Sequence, residues 1–216
     1  MFVIGLTGGT GSGKSEVAKV LQKGGAIIIS GDRIGKEVVE KNPQVLKMLV
    51  KTFGREILNQ KGRLNRRKLG EIVFSSVKNQ KKLNQIVHPP LLKELRARIK
   101  RFRKKNDSGR FAVVDAALIT EWNLEKELDA TVAVTSGSKL RLRRLLKQGL
   151  SPKEIRNRIA RQLNDKKRVK RADFVFKNNG SLAALRKRAI NLYHIIKALI
   201  ILGRMEKLVA GFDTKV

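Results

Sequence analysis

The sequence predicts an α/β fold of three layers, in which helices cover both faces of a parallel β-sheet. Short apolar runs of strand length recur along the chain, at residues 2–7, 26–29, 111–114 and 131–134. Stretches with the helical spacing of apolar residues separate these runs, and the first helix, predicted over residues 16–23, ends at two glycines. Strands that alternate with helices are typical of a parallel sheet.

The chain carries a large positive charge. Its 216 residues include 49 Lys and Arg against 18 Asp and Glu, which is a formal net charge of +31. Hydrophobic residues make up 41% of the chain, an ordinary share for a globular protein, so the charge does not indicate disorder. A field of this strength favours polyanionic partners.

The sequence has no cysteine, which excludes disulfides, thiolate zinc sites and cysteine nucleophiles. Residues 1–7 have neither the basic region nor the cleavage site of a signal peptide. The apolar run at residues 198–202 is far shorter than the roughly 20 residues that a membrane span needs. We therefore expect a soluble, cytoplasmic protein with no membrane partner.

A helical lobe is predicted between the second and third strands. Residues 36–105 contain no strand pattern. Their second half has apolar residues at the helical spacing i, i+3, i+7, i+10, with basic residues on the other faces. The apolar positions are Leu92, Leu95, Ile99 and Phe102.

Two further helical segments follow the last of these strands. Residues 139–171 are densely basic and helix-like, with a break at residues 149–152, where Ser151 is a candidate helix cap. A last helix is predicted over about residues 182–202. Its apolar side is formed by Leu185, Ala189, Leu192, Ile195, Leu199 and Leu202.

A glycine-rich loop follows the first predicted strand. Residues 8–15, Gly-Gly-Thr-Gly-Ser-Gly-Lys-Ser, fit the pattern G-x-x-x-x-G-K-[ST] and lie between a strand and a helix. Glycines let backbone N–H groups surround a phosphate, Lys14 can reach the β- and γ-phosphates, and the Ser15 hydroxyl can bind Mg²⁺. The alternative is a glycine-rich turn without a ligand. The pattern predicts a site for a nucleoside triphosphate with Mg²⁺, formed by Gly9, Thr10, Gly11, Ser12, Gly13, Lys14, Ser15 and Glu16.

Two aspartates follow predicted strands, and the short chain favours a small-molecule kinase over a translocating ATPase. Asp32 comes just after the second strand, where a carboxylate can orient and deprotonate an attacking hydroxyl. The alternative for Asp32 is a loop carboxylate or a helix cap. Asp115 ends the third strand and could hold Mg²⁺ directly or through water, or could be a structural turn residue.

Residues 1 to about 190 resemble the dephospho-coenzyme A kinase family. The glycine-rich loop alone is shared with many kinases, whereas several separated pieces in the same order are far more specific. These pieces are residues 5–15, Asp32 with 33–34, 64–67 with 73–74, 86–89, 113–118 with Glu121, Arg143 before 149–151, Arg158 with Gln162, and 172–175 with Asn178 and Gly180.

The resemblance implies that ATP, with Mg²⁺, phosphorylates the ribose 3′-hydroxyl of dephospho-coenzyme A, the last step of coenzyme A synthesis. It also implies a P-loop kinase core, a helical substrate lobe and a helical lid within one domain. The core is expected at about residues 1–35, 110–138 and 172–216. The lobe is expected at about 36–109 and the lid at about 139–171.

The resemblance also implies roles for site residues. Asp32 matches the family's catalytic acid, which would accept the 3′-hydroxyl proton, and Arg143 matches a lid arginine that would neutralise charge on the transferred phosphoryl group. Four residues match family positions without an assigned chemistry: Arg66, His88, Arg158 and Gln162. A histidine that packs and fixes a turn before Pro89 is the alternative for His88. A structural bond is equally compatible with the i, i+4 spacing of Arg158 and Gln162.

The chain departs from the family pattern at two positions near the site. Ser30 stands where the family often has a first carboxylate two residues before Asp32, which puts any metal or substrate role of that acid in doubt. Glu16 stands where threonine is usual after Lys-Ser. Ser15 still supplies one hydroxyl for Mg²⁺, so we expect activity to survive, and Glu16 in the first helical turn suits the helix dipole.

Two other functions compete with this hypothesis. One is another P-loop kinase that acts on a nucleotide or nucleoside. The other is a basic nucleic-acid-binding protein, which the charge favours and the 5% share of aromatic residues opposes, because stacking platforms for bases are scarce. Weak, salt-sensitive nucleic-acid binding remains an expected side property. The net charge of +7 over residues 93–105 does not follow from the kinase chemistry, and we interpret it as a solvated surface.

Overall fold

A five-stranded sheet forms the centre of the fold. The computed structural model describes residues 1–104, 110–160 and 165–202. The strands are β1 (Phe2–Gly8), β2 (Ile27–Ser30), β3 (Phe111–Asp115), β4 (Ala130–Thr135) and β5 (Phe174–Lys177). The strand order is β2-β3-β1-β4-β5. Strand β1 lies parallel to both β3 and β4, and β4 lies parallel to β5.

Nine α-helices are described, with short 3₁₀ turns at Arg55–Ile57 and Leu124–Glu127. No helix in the described ranges is long and apolar enough to cross a bilayer. The helices are α1 (Lys14–Lys23), α2 (Gly31–Lys41), α3 (Pro43–Phe53), α4 (Arg66–Phe74), α5 (Val77–Lys104), α6 (Ser138–Lys147), α7 (Pro152–Ala160), α8 (Asp165–Arg171) and α9 (Leu182–Leu202).

The strand register places several site residues at one edge of the sheet. Leu6 pairs with Asp115, and Gly8 pairs with Val134. Parallel strands end at a common edge, so the loop after β1 and the end of β3 lie at the same edge. Strands β1, β3 and β4 are buried along almost their whole length, as expected where both faces are covered.

Helices α1 and α9 pack on the sheet and close the apolar core around Val17, Leu21, Leu185 and Leu192. Helix α9 has the predicted bounds, but its inward face includes Ile196, which is 2% exposed, where the sequence predicted Ile195. Ile195 is only half-buried. The prediction was wrong at this position because neighbouring helical positions differ by about 100° in direction, and packing decides which of them is buried.

Residues 30–100 form a compact unit of their own, distinct from residues 1–29 together with the described residues after 100. Asn42 starts α3, since its side chain accepts hydrogen bonds from the Gln44 and Val45 amides at 3.0 and 3.2 Å. The core of the unit is apolar and fully buried. It includes Ile34, Val45, Leu49, Ile57, Leu91 and Leu95.

Two features differ from the sequence prediction. The fifth strand, β5, is only four residues long and was missed as a strand. The expected turn at His88 and Pro89 was wrong, because α5 continues through Pro89 and Pro90. Buried Ile86 and Leu91 flank the prolines and hold this stretch of the helix in the core of the unit, which offsets the hydrogen bonds that the two prolines cannot donate.

Candidate active site

The glycine-rich loop joins β1 to α1, and its conformation needs glycine. Gly11 and Gly13 have φ values of 79° and 99°, in the left-handed region. A side chain at Gly8 would meet the Val134 carbonyl oxygen at 2.6 Å. The loop therefore has the strand–loop–helix setting that the sequence predicted, and α1 begins at Lys14 with its positive end at the loop.

Three consecutive carbonyl groups of the loop accept hydrogen bonds from distant side chains. Arg141 Nε donates to the Thr10 oxygen at 2.8 Å, and Arg144 Nη1 donates to the Gly11 oxygen at 3.4 Å. Asn178 Nδ2 donates to the Ser12 oxygen at 2.8 Å. These bonds hold the carbonyls on one side of the loop. Successive backbone N–H groups of such a loop can then surround an anion on the other side.

The Arg141 guanidinium also begins a chain of ion pairs that links α6 to α8. Arg141 Nη1 lies 2.9 Å from Asp165 Oδ2, and Asp165 Oδ1 lies 2.9 Å from Arg168 Nη1. Arg168 Nη2 lies 3.2 Å from Glu121 Oε1, and the Arg168 side chain has no exposed surface. The loop is thus supported by a charged network in which Arg141 and Arg168 are buried. Arg168 Nε finds no hydrogen-bond partner within the described residues, so the network carries a cost in stability.

Lys14 and Asp115 form an ion pair at the edge where β1 and β3 end. Their side chains are only 14% and 16% exposed. The Asp115 carboxylate accepts a hydrogen bond from the ammonium group that the motif predicts to bind phosphates.

The Ser15 hydroxyl is exposed in the first turn of α1, and with the Asp115 carboxylate it offers oxygen ligands of the kind that Mg²⁺ prefers. Across the described ranges, no group of three or more histidines and carboxylates could enclose a metal ion. This donor set fits a cation held largely by phosphates and water, as Mg²⁺ usually is in kinases.

Glu16 follows the motif and is engaged at the protein surface. Its carboxylate lies 3.1 Å from both Lys19 Nζ and Arg186 Nη2. Hydrogen bonds from these two cations hold the pKa of Glu16 below its usual value. The negative charge beside the loop is therefore balanced by two cations.

Ser12 lies at the back of the loop. Its side chain is fully buried, and its hydroxyl has no hydrogen-bond partner within the part of the chain that the structure describes. A buried hydroxyl in this state costs stability, and strain of this kind is common at functional sites.

Asp32 lies in the unit formed by residues 30–100 and is exposed in the first turn of α2. Helix α2 begins directly after β2, and its cap is Ser30, whose hydroxyl accepts from the Arg33 amide at 3.3 Å. The capping role that was an alternative for Asp32 thus belongs to Ser30. The Asp32 carboxylate extends from the helix into solvent.

Arg66 and His88 lie in the same unit. Arg66 Nη2 lies 2.8 Å from Glu40 Oε1 and donates to the Lys36 carbonyl at 3.0 Å. His88 is half-buried in α5, and burial lowers the pKa of its imidazole.

Helix α6 carries the predicted lid arginine and two further arginines. Arg143, the predicted lid residue, is exposed, whereas Arg141 and Arg144 reach the loop. The sequence did contain a signal that Arg141 faces inward. Arg141 lies four residues before Leu145, which is 2% exposed, and residues at this spacing share one helix face. Asn178, quoted only as part of a motif, had no predicted role. Gln162 and the Arg158 side chain lie outside the described residues.

The family model for dephospho-CoA kinase matches residues 2–184. The chain is 39% identical over 194 residues to the dephospho-CoA kinase of Corynebacterium glutamicum, an alignment that covers 89% of this chain and 98% of that protein. It is 41% identical over 183 residues to the dephospho-CoA kinase of Bacillus licheniformis, which covers 84% and 90%.

Solved structures share this fold. A crystal structure of a Thermus thermophilus protein superposes with a TM-score of 0.72 at 31% identity and covers 90% of this chain and 96% of that one. The dephospho-CoA kinase of Campylobacter jejuni has the same fold, with a TM-score of 0.62 at 24% identity and the same coverage. Because the family model spans most of the chain and the relatives align along nearly their whole length, the chain belongs to the dephospho-CoA kinase family.

Proposed function

We propose that this protein transfers the γ-phosphoryl group of ATP to the ribose 3′-hydroxyl of dephospho-coenzyme A, which gives coenzyme A and ADP. The 3′-oxygen forms a bond to the γ-phosphorus, the bond from that phosphorus to the bridging oxygen breaks, and the hydroxyl proton passes to a carboxylate. The family membership, with the glycine-rich loop at the end of β1, carries this proposal.

The nucleotide side of the reaction is assigned to the loop and Lys14. The backbone N–H groups of residues 9–16 would bind the phosphates, and the Lys14 ammonium would move from Asp115 to the β- and γ-phosphates. Phosphoryl transfer depends mainly on positioning and charge stabilisation, so a loop already held by Arg141, Arg144 and Asn178 suits it.

Mg²⁺ is assigned to Ser15, with Asp115 as a second oxygen donor, directly or through water. When bound with ATP, the ion supplies charge neutralisation on the β- and γ-phosphates. The exposed Ser15 and the Asp115 carboxylate at the end of β3 support this assignment.

The acceptor side is assigned to the helical unit. Asp32 would accept the 3′-hydroxyl proton, and its exposed carboxylate at the start of α2 supports the role. Arg66, His88, Arg158 and Gln162 are proposed to bind the acceptor or to shape its site. Arg143 is proposed to neutralise charge on the transferred group, with residues 139–171 as the lid and 36–109 as the acceptor lobe. We propose a cytoplasmic location, which the lack of cysteine suits.

ADP release measured by a coupled assay tests the proposal. We expect turnover with dephospho-coenzyme A and none with a panel of nucleosides and nucleotides, and ADP release only with a member of that panel would contradict the acceptor. Lys14→Ala should lower kcat/KM by about 10²-fold or more, because a charge on the reacting phosphates is lost. Lys23→Ala, in the last turn of the same helix, is the matched control and should change it by less than about twofold.

A further inference from the structure

Glu16 places a negative charge beside the proposed phosphate site. It lies in the first turn of α1, directly after Lys14 and Ser15 of the loop motif. A carboxylate at this position stabilises the helix, because the N-terminal end of a helix is positive. The same carboxylate repels an anion, and the phosphates of the nucleotide are proposed to bind at that end. Nucleotide binding at the loop is therefore favoured when the charge of Glu16 is neutralised.

Two cations contact the Glu16 carboxylate, one on each oxygen. Oε1 lies 3.1 Å from Lys19 Nζ, which belongs to the next turn of α1. Oε2 lies 3.1 Å from Arg186 Nη2, which extends from α9. Hydrogen bonds from Lys19 and Arg186 lower the pKa of Glu16, so the carboxylate stays ionised and paired with them.

The packing of α9 determines where Arg186 lies. The preceding residue, Leu185, is 3% exposed and lies against the glycine-rich loop, since a Cβ at Gly13 would meet its Cδ2 at 3.0 Å. The contact that closes the core at the start of α9 thus also brings Arg186 beside Glu16. Helix α9 has no acidic residue, and within the described residues Glu16 is the carboxylate that pairs with Arg186.

The two ion pairs of Glu16 are partly exposed to solvent. Exposed ion pairs contribute little to the stability of a fold. Their consequence is therefore expected in the charge that a bound nucleotide meets, and not in the stability of α1 or α9.

We propose that Arg186 is a positioning residue for nucleotide binding, which together with Lys19 neutralises the Glu16 carboxylate and holds it off the phosphate site. The proposal rests on the proposed function, because that function places the phosphates at the glycine-rich loop. It goes further by assigning to α9, outside the loop motif and the proposed lid, a part in the affinity for the phosphate donor.

Isothermal titration calorimetry with ATP and Mg²⁺ at about 50 mM KCl tests the proposal. Arg186→Gln should raise the Kd for ATP by about threefold to tenfold, because a carboxylate with one partner fewer then lies beside the phosphates. Arg186→Lys keeps the charge and should bind ATP within about twofold of wild type. Since the repulsion is electrostatic, the difference between Arg186→Gln and wild type should shrink at about 500 mM KCl.

A double variant separates this role from a merely structural one. Glu16→Gln added to Arg186→Gln should return the Kd for ATP to within about twofold of wild type, because no carboxylate remains to be neutralised. A loss of packing at Arg186 would not be rescued in this way. The matched control Lys187→Gln removes an exposed charge at the next position of α9 and should change the Kd by less than about twofold.

Three outcomes would overturn the proposal: an unchanged Kd in Arg186→Gln, an equal rise in Lys187→Gln, or a double variant that binds as weakly as Arg186→Gln. Glu16→Gln alone should bind ATP more tightly than wild type, and it serves if the thermal midpoint shows that Arg186→Gln does not fold. Weaker binding by Glu16→Gln would also overturn the proposal, because the carboxylate would then assist the nucleotide.

The same titrations separate this proposal from the proposed function. Wild type that binds no ATP would overturn both, because no phosphate site would exist at the loop. Wild type that binds ATP but releases no ADP with dephospho-coenzyme A would contradict the proposed acceptor alone, and the role of Arg186 would still be decided by the variants.

Discussion

The glycine-rich loop and the helical unit of residues 30–100 hold their candidate functional residues in different ways. Around the loop, charged and amide side chains are buried and bonded to the backbone, as Arg141 is to Thr10 and Asn178 is to Ser12. In the helical unit, Asp32 is exposed and Arg66 is held by a surface ion pair with Glu40.

This difference indicates which part of the candidate site is rigid before a ligand binds and which part can rearrange. A phosphate cradle has to be in place before the nucleotide binds, since catalysis of phosphoryl transfer is mainly positioning. Surface ion pairs contribute little to the stability of the fold and can rearrange. The side chains of the helical unit can therefore change position when an acceptor binds. Substitutions near the loop should therefore affect both the stability of the fold and the binding of the nucleotide. Substitutions in the helical unit should affect only the binding and reaction of the acceptor.

The largest expected effect is that of Asp32→Asn. We expect kcat to fall by at least about 10²-fold, because the carboxylate proposed as the general base is lost. The free energy of unfolding should change by less than about 0.5 kcal/mol, because the exposed side chain makes no packed contact. ADP-release kinetics and urea unfolding measure the two quantities. Near-normal turnover would remove Asp32 from the mechanism.

The next effect separates two arginines of α6. Arg141→Ala should lower the free energy of unfolding by about 2–3 kcal/mol, since Asp165 and the Thr10 carbonyl lose a buried partner. The KM for ATP should rise about tenfold as the loop loosens.

Arg143→Ala is the matched control, since Arg143 is exposed on the same helix. Its stability should stay within about 0.5 kcal/mol of wild type, and kcat alone should fall. Full turnover in Arg143→Ala would show that Arg143 does not neutralise the charge of the transferred phosphoryl group, and that another residue has this role.

A smaller effect is expected for Arg66→Ala. The KM for dephospho-coenzyme A should rise about fivefold to tenfold, while stability changes by less than about 1 kcal/mol because the Glu40 pair is exposed. Arg67→Ala removes a similar surface pair, with Glu71 at 3.2 Å, and should leave that KM unchanged. The same rise in both variants would indicate a general charge effect.

The smallest expected effect concerns pH. Burial lowers the pKa of His88 in the folded protein below its ordinary 6.5, so protons bind preferentially to the unfolded chain. Its contribution to stability is complete above about pH 6.5 and is lost as the pH falls toward the folded-state pKa.

Urea unfolding between about pH 5 and 8 tests this prediction. His88→Gln should flatten the fall in stability below about pH 6.5, and His194→Gln, which replaces the exposed histidine of α9, should keep the wild-type profile. Identical profiles in wild type and His88→Gln would show that other groups are responsible.

Much of the fold follows from local patterns. The four apolar runs became strands, and α9 has its predicted bounds. The strand β5 was missed because four residues, Phe174–Lys177, carry too little periodicity to outweigh their basic surroundings. The helical path through Pro89 was missed because local rules favour a break there, and tertiary burial of Leu91 and Leu95 overrides them.

The phosphate-binding chemistry and the family resemblance follow from the sequence, because a glycine-rich loop, its lysine and its serine act over eight adjacent residues and carry their geometry locally. The tertiary structure decides which side chains support that loop. Arg141, Arg144 and Asn178 lie more than 130 residues beyond the loop residues that they contact. Their direction depends on how α6 and the end of β5 pack beside the loop. The physical reason is that the rotation of a helix about its axis is set by its buried side, here Leu145 against Gly11, and not by its charged residues.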